Sequence, residues 1–92
     1  MTHTTWQPHD EPPGRLDAAA RDALPASAFA FPAQRKEPLT SASHVRDAVT
    51  RFDQVEGVSE ADRDLAWANI RAAARHYGIT LSEASWRELG HR

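Results

Sequence analysis

The chain has 92 residues, no cysteine and a formal net charge of −2 at pH 7. A domain of this size buries about 60% of the surface of its unfolded chain, which leaves room for one small core and argues against a deep active-site cleft. The absence of cysteine excludes disulfides, thiolate nucleophiles and zinc sites built on sulfur, and the slightly acidic balance argues against the strongly basic face typical of nucleic-acid-binding domains. Because there is no signal-peptide pattern and no apolar run approaching the roughly 20 residues that span a bilayer, we expect a cytoplasmic protein without membrane contacts.

The first 14 residues, MTHTTWQPHDEPPG, contain three prolines and a single aromatic side chain, Trp6. Such a segment buries too little surface to offset the entropy lost on ordering it. The composition therefore predicts a flexible tail over residues 1–14, followed by one small domain over residues 15–92.

A short helix and an extended segment begin the predicted domain. Apolar residues recur at helical spacing over residues 15–24, and Pro25 ends this pattern because it disfavours the helical conformation of the residue before it. In PASAFAFPAQRKEPL the period changes, since Phe29 and Phe31 stand two apart, as on one face of an extended chain. Residues 26–39 are therefore predicted to form either a minimal two-stranded ribbon or an irregular arm whose phenylalanines fill the core.

Two longer helices follow, and each has a start and a stop signal. The first is predicted over residues 43–56, with Ser41 or Ser43 as its cap and Gly57 as its end. The second is predicted over residues 60–77, with Ser59 as its cap and a glycine at its end. The predicted core residues of the fold are Phe29, Val45, Val49, Phe52, Trp67, Ile70, Tyr77 and Trp86.

The last segment, TLSEASWRELG, is predicted as a third, short helix that ends at Gly90. The expected fold class is therefore mainly α. It consists of a small bundle of three helices, the last one short, preceded by a short helix and an extended arm that can form a minimal β-ribbon.

Histidines are the first candidates for chemistry, because the chain has five of them. His44 and His76 are predicted on different helices, without a companion ligand three or four residues away, so we expect neither a metal nor a cofactor. A catalytic His44 would need an oriented nucleophile or carboxylate, and no such pattern is recognisable. We therefore expect no enzyme activity and a ring that bonds the preceding loop.

A basic patch is the second candidate. The cluster PAQRK precedes a helix that carries further basic side chains, and together they can hold a phosphate or the acidic surface of a partner. The alternative is that these exposed residues are simply solvated. The residues of the predicted patch are Arg35, Lys36, His44, Arg46 and Arg51.

Residues 72–90, AAARHYGITLSEASWRELG, have the outline of a helix-turn-helix, the motif of many DNA-binding proteins. In its second half, the side chains available to contact base edges are Glu83, Arg87 and Glu88. Base edges are usually contacted by arginine, lysine, asparagine or glutamine, so this set is poorly suited to reading a DNA sequence. Nucleic-acid binding through this motif and the basic patch is therefore the alternative function, not the leading one.

The stretch LPASAFAFPAQRKEPLTSASHVRDAVTRFDQV, with the later AAARHYGI, resembles an uncharacterised family of short bacterial and phage-associated proteins. The shared motifs are LPxSxF, RxxPL, HVRxAVxRF and YGI, and they cover residues 24–79. Glu37 stands where the family usually has tyrosine, so we expect no aromatic contact at this position. The resemblance implies a small non-catalytic accessory protein.

The leading expectation is an interaction module that binds another protein, or a second copy of itself, through helix faces and the phenylalanine-containing arm. A core this small gains from burying further apolar surface on a partner. Trp6, Phe31 and Trp86 are the large side chains considered for such contacts.

Overall fold

The computed structural model describes residues 2–9 and 18–91. Its helices and strands are α1 (Ala18–Ala23), β1 (Phe29–Phe31), β2 (Lys36–Pro38), α2 (Ala42–Arg51) and α3 (Glu60–Tyr77). Three 3₁₀ helices complete the order, Ala26–Ala28 before β1, Phe52–Gln54 after α2 and Trp86–His91 near the end. The first three residues of the predicted helix over 15–24 lie outside the described residues.

The predicted fold class, a mainly α bundle of three helices, is wrong. The described chain has three α-helices and a two-stranded antiparallel sheet, and is therefore a mixed α and β fold. The sheet is part of the packing, because β1 lies against α3 and β2 lies against α2. The element expected as the third helix of the bundle is the six-residue 3₁₀ helix.

The hairpin of β1 and β2 is short but well placed. Phe29 pairs with Pro38 and Phe31 with Lys36. All three residues of β1 are buried, so this strand is covered on both faces, as strands inside a fold are. Of the two alternatives predicted for residues 26–39, the structure therefore contains the two-stranded ribbon, and its phenylalanines lie in the interior.

The start and end of α2 follow from local chemistry. Ser41, and not Ser43, is the cap, and its hydroxyl accepts the backbone N–H of His44 at 3.2 Å. The helix ends at Arg51, five residues before the predicted end, because the chain tightens into the 3₁₀ helix that begins with Phe52. The Arg63 guanidinium donates to the carbonyl oxygens of Phe52 at 3.3 Å and Val55 at 3.0 Å, and so satisfies the end of this segment.

Helix α3 has the bounds that the sequence predicts. Its start is a capping box, in which the Ser59 hydroxyl accepts from the Asp62 amide and the Asp62 carboxylate accepts from the Ser59 amide. The Asp62 carboxylate also accepts from the Gln34 side chain at 3.1 Å, which ties the hairpin turn to the helix start. Gly78, with φ of 74°, forms the left-handed end.

The helix-turn-helix alternative over residues 72–90 is not formed in the described chain. After α3 the chain runs without regular structure to the 3₁₀ helix Trp86–His91. The carboxylate of Glu88 accepts hydrogen bonds from the backbone amides of Ala84 and Ser85. Such local side-chain bonds compete with the backbone hydrogen bonds of an α-helix. The residues described after α3 therefore contain no α-helix that could serve as the recognition helix of this motif.

The core is one main cluster of buried residues with a small satellite. Among the predicted core residues, Val45, Phe52, Trp67 and Ile70 are buried in the main cluster, and Phe29 is buried in the satellite. The other three are partly buried and pack against the main cluster. They are Val49, Tyr77 and Trp86.

The described part of the predicted tail, residues 2–9, belongs to the fold. Trp6 is only 6% exposed and is a member of the main buried cluster. The structure thus packs this part of the predicted flexible tail against the domain through Trp6. Residues 10–14 lie outside the described residues. No helix in the described ranges is long and apolar enough to cross a membrane.

Candidate functional site

A charged cleft lies between β2 and the outer face of α2. Its volume is about 220 Å³, and four of the five residues of the predicted basic patch line it, all except Arg46. The full lining consists of Arg21, Arg35, Lys36, Glu37, Pro38, His44, Asp47 and Arg51. We refer to this feature as the β2–α2 cleft.

The charge of the β2–α2 cleft differs in sign from that of the chain. Four arginine and lysine side chains face two carboxylates, which gives the lining a formal net charge of +2 with a neutral histidine, whereas the chain has −2. Neither Glu37 nor Asp47 forms an ion pair within 4.0 Å with a lysine or arginine of the described residues. The cationic groups are therefore not neutralised by direct ion pairs inside the cleft.

Arg35 has a structural role in addition to its charge. It donates to the carbonyl oxygens of Arg21, Asp22 and Leu24 at 3.3, 3.2 and 2.7 Å, which are groups at the end of α1. Its guanidinium also lies 4.8 Å from the centre of the Phe29 ring. Arg35 thus joins α1 to the hairpin and forms the wall of the β2–α2 cleft.

The His44 ring is oriented by the loop before α2. Its Nδ1 lies 2.7 Å from the Ser41 hydroxyl and 3.5 Å from the Thr40 hydroxyl. The same Ser41 oxygen accepts the His44 backbone N–H. This serine is therefore occupied in capping α2, which is unlike a free nucleophile beside a general base.

Glu37 is the least expected residue of the β2–α2 cleft. It is half-buried and has φ of 57°, in the left-handed region that non-glycine residues rarely adopt. Burial raises the pKa of the Glu37 carboxyl, an effect that Arg51 partly offsets and Asp47 strengthens. The left-handed backbone conformation of Glu37 costs free energy, and it places the Glu37 carboxylate in the lining of the cleft with the cationic side chains.

Arg46 lies outside the β2–α2 cleft. It lines a separate groove with Val49 and the segment from Ile79 to Glu83. Since Arg46 and Arg51 are five residues apart on one helix, they point to different sides of it. The predicted patch is therefore divided between two surfaces.

Sequence reasoning missed Arg21, Glu37 and Asp47 as residues of the site. Arg21 belongs to α1, and only the folded hairpin brings it beside α2. The one available signal was at Glu37, where the resemblance described in the sequence analysis leads to the expectation of a tyrosine. Within the described ranges, no three histidine, aspartate or glutamate side chains are grouped so that they could hold a metal ion.

The fold and the β2–α2 cleft define a small mixed α and β domain with a cationic surface site. Residues 15–84 match the family described as "Family of unknown function (DUF6582)", and this chain belongs to that family. No curated protein and no solved structure matches the chain.

Proposed function

We propose that the chain is a non-catalytic interaction module that binds an acidic segment of another protein in the β2–α2 cleft. The observation that carries the proposal is the cluster of cationic side chains from α1, β2 and α2 around one cleft of a chain that is acidic overall. Charge of this kind attracts carboxylate groups and steers their approach. The proposal includes the role expected from the family resemblance, a small accessory protein in bacterial and phage contexts.

Arg51, Lys36 and Arg21 are the groups we expect to contact the ligand. All three side chains are exposed, and guanidinium groups bind carboxylates through paired hydrogen bonds. Arg35 is already bonded to backbone carbonyls, so its contribution is to shape the cleft. Binding by such exposed charges is expected to be modest in affinity and strongly weakened by salt.

Because β1 is buried, the phenylalanine-containing segment takes part in binding differently from the sequence-based expectation. Phe29 and Phe31 are 0% and 1% exposed, so they support the cleft from inside and do not contact a partner. The hairpin instead presents Lys36 and Glu37. Since Trp6 is also buried, the large apolar side chains considered for self-association are mostly inside, and an acidic partner is favoured over a second copy.

Two arginines on α2 provide a matched test. Binding of a fluorescein-labelled hexaglutamate peptide is measured by anisotropy for the wild-type chain, Arg51→Ala and Arg46→Ala. Both side chains are exposed on one helix, but only Arg51 lines the β2–α2 cleft. We expect Arg51→Ala to weaken binding about fivefold, the effect of one lost charge-assisted contact of about 1 kcal/mol, and Arg46→Ala to leave it within about twofold.

The same experiment separates the competing functions. Equal losses in the two variants, or no binding by the wild-type chain at low salt, would reject the β2–α2 cleft as the site. Tighter binding of a duplex DNA of similar charge than of the peptide would favour the nucleic-acid alternative. Circular dichroism of each variant checks that the fold is unchanged.

A further inference from the structure

The N-terminal segment is held by the rest of the chain as a bound peptide would be. The side chain of Asn69 on α3 is 0% exposed, and its Oδ1 accepts the backbone N–H of Thr5 at 2.8 Å and of Trp6 at 3.1 Å. The same oxygen accepts the Thr4 hydroxyl at 2.6 Å. The buried Asn69 side chain thus bonds consecutive main-chain N–H groups and fixes the backbone of the segment independently of most of its side chains.

Asn69 also connects the segment to the sheet. Its Nδ2 donates to the Ala30 carbonyl oxygen at 2.9 Å, so one side chain bridges β1 and the N-terminal segment. The backbone N–H of Gln7 donates to the Ser27 carbonyl oxygen at 2.9 Å. The hydrogen bonds of the segment thus go to α3, to the chain before β1 and, through Asn69, to β1.

Trp6 is the anchor of the segment. Its ring lies edge-on to His76 and Tyr77, with centroid distances of 5.6 and 6.0 Å. Its Nε1–H donates to the Leu39 carbonyl oxygen at 3.1 Å. A tryptophan that is buried in an aromatic site and donates one directed hydrogen bond is the usual energetic centre of a peptide interface.

The groove and its occupant belong to different parts of the chain. Outside the segment itself, the hydrogen-bond and ring partners named above for residues 4–7 lie between Ser27 and Tyr77, within the family match over residues 15–84. The bound residues themselves lie before that match. The family domain therefore forms the groove, and this chain fills it with a segment outside the domain.

We propose that this groove is a peptide-binding site for a Thr-Thr-Trp-Gln segment, and that it binds the N-terminal segment of a second copy when its own is displaced. Exchange of identical segments between two chains retains every contact described above, so it leads to a two-fold dimer at little energetic cost. The site shares no residue with the β2–α2 cleft and is independent of the function proposed for it.

The test uses the full-length Trp6→Ala variant as the receptor and the synthetic peptide THTTWQPH, residues 2–9, as the probe. The melting temperature of the variant is expected to rise by about 5 °C or more at a peptide concentration far above the dissociation constant, because binding to the folded state stabilises it. A peptide in which alanine replaces the tryptophan is expected to have no effect. The wild-type chain, whose groove is filled, is expected to respond little to either peptide.

Trp86→Ala is the matched control receptor, because it also loses a tryptophan from the packed chain but keeps Trp6 in the groove. Its melting temperature is expected to be unchanged by the peptide. If Trp6→Ala is unfolded alone, refolding on addition of the peptide supports the site, and Trp6→Phe, which keeps an apolar anchor without the Nε1 donor, serves as a folded receptor. Absence of both stabilisation and refolding with the two Trp6 variants would overturn the proposal.

Discussion

Glu37 combines a backbone in the left-handed region, with φ of 57°, with partial burial and a charged side chain. Burial raises the pKa of its carboxyl in the folded state above the usual value of 4.5, because the ionised form is poorly solvated there. A raised folded-state pKa contributes stability that is fully present below the unfolded pKa and is lost as pH rises through the folded pKa. Glu37→Gln has no such group and does not suffer this loss.

We therefore expect the free energy of unfolding of Glu37→Gln to rise relative to that of the wild-type chain as pH increases from about 4 to 7. Urea denaturation at several pH values measures this difference. The Ser59 backbone N–H lowers the pKa of Asp62, so the contribution of Asp62 to stability increases with pH. Asp62 is present in both proteins, and its contribution therefore cancels in the comparison. A difference that stayed constant with pH would contradict the prediction.

Individual buried side chains were predictable where a helical stripe carries them. Phe52, Trp67 and Ile70 stand at positions that helical periodicity marks as apolar, and all three are buried. Asn69 could not be found in this way, since a polar residue beside a stripe is ordinarily assigned to solvent. Its role depends on β1 and the N-terminal segment approaching the same side of α3, which no local pattern reports.

The start of α2 tests how much one capping side chain contributes to an element. The Ser41 hydroxyl satisfies the His44 amide and contacts the His44 ring, whereas Ser43 is exposed on the first turn. We expect Ser41→Ala to lower the free energy of unfolding by about 1 kcal/mol and Ser43→Ala to change it by less than about 0.5 kcal/mol. Urea denaturation of both variants measures the contrast, and equal effects would show that the cap is not energetically important.

Elements with explicit start and stop signals were predicted best. Helix α3 has the expected bounds, because a capping box and a left-handed glycine are local devices that the sequence displays. The 3₁₀ helix Trp86–His91 was expected as an α-helix, since its apolar anchors have helical spacing. In the structure, the Glu88 carboxylate accepts the amides of Ala84 and Ser85. The Trp86 ring stacks on the Phe52 ring, with 6.0 Å between the ring centroids. These contacts are not visible in the apolar spacing.

The β2–α2 cleft shows the same limit at the level of paired elements. The basic residues of PAQRK and of α2 could be expected to meet, because the chain leads directly from one to the other. The participation of Arg21 could not, since it depends on the bonds that Arg35 makes to the carbonyl oxygens at the end of α1, which no local pattern reports. The positive charge of the site was therefore predictable from the sequence, but the full set of residues that line it was not.

At the scale of the whole molecule, the main cluster of buried residues includes side chains from the N-terminal segment, the hairpin, α2, α3 and the final 3₁₀ helix. A chain of this length has little apolar surface to spare, so each large side chain that joins the cluster matters to overall stability. Trp6 is one of only three tryptophans. Because Trp6 belongs to this cluster, we expect the N-terminal segment to unfold together with the rest of the structure.

This arrangement predicts the hydrogen-exchange behaviour of the segment in the intact chain. The amides of Thr5 and Trp6 donate to the buried Asn69 side chain, so we expect them to exchange as slowly as core amides of α3, such as that of Ile70. The amide of the exposed residue His3 serves as the internal reference for fast exchange. Native-state exchange followed by NMR measures all four amides in one experiment. Rapid exchange of Thr5 and Trp6 beside a protected Ile70 would mean that the segment opens independently of the core, as a flexible tail does, and that Trp6 adds nothing to the cooperative unit.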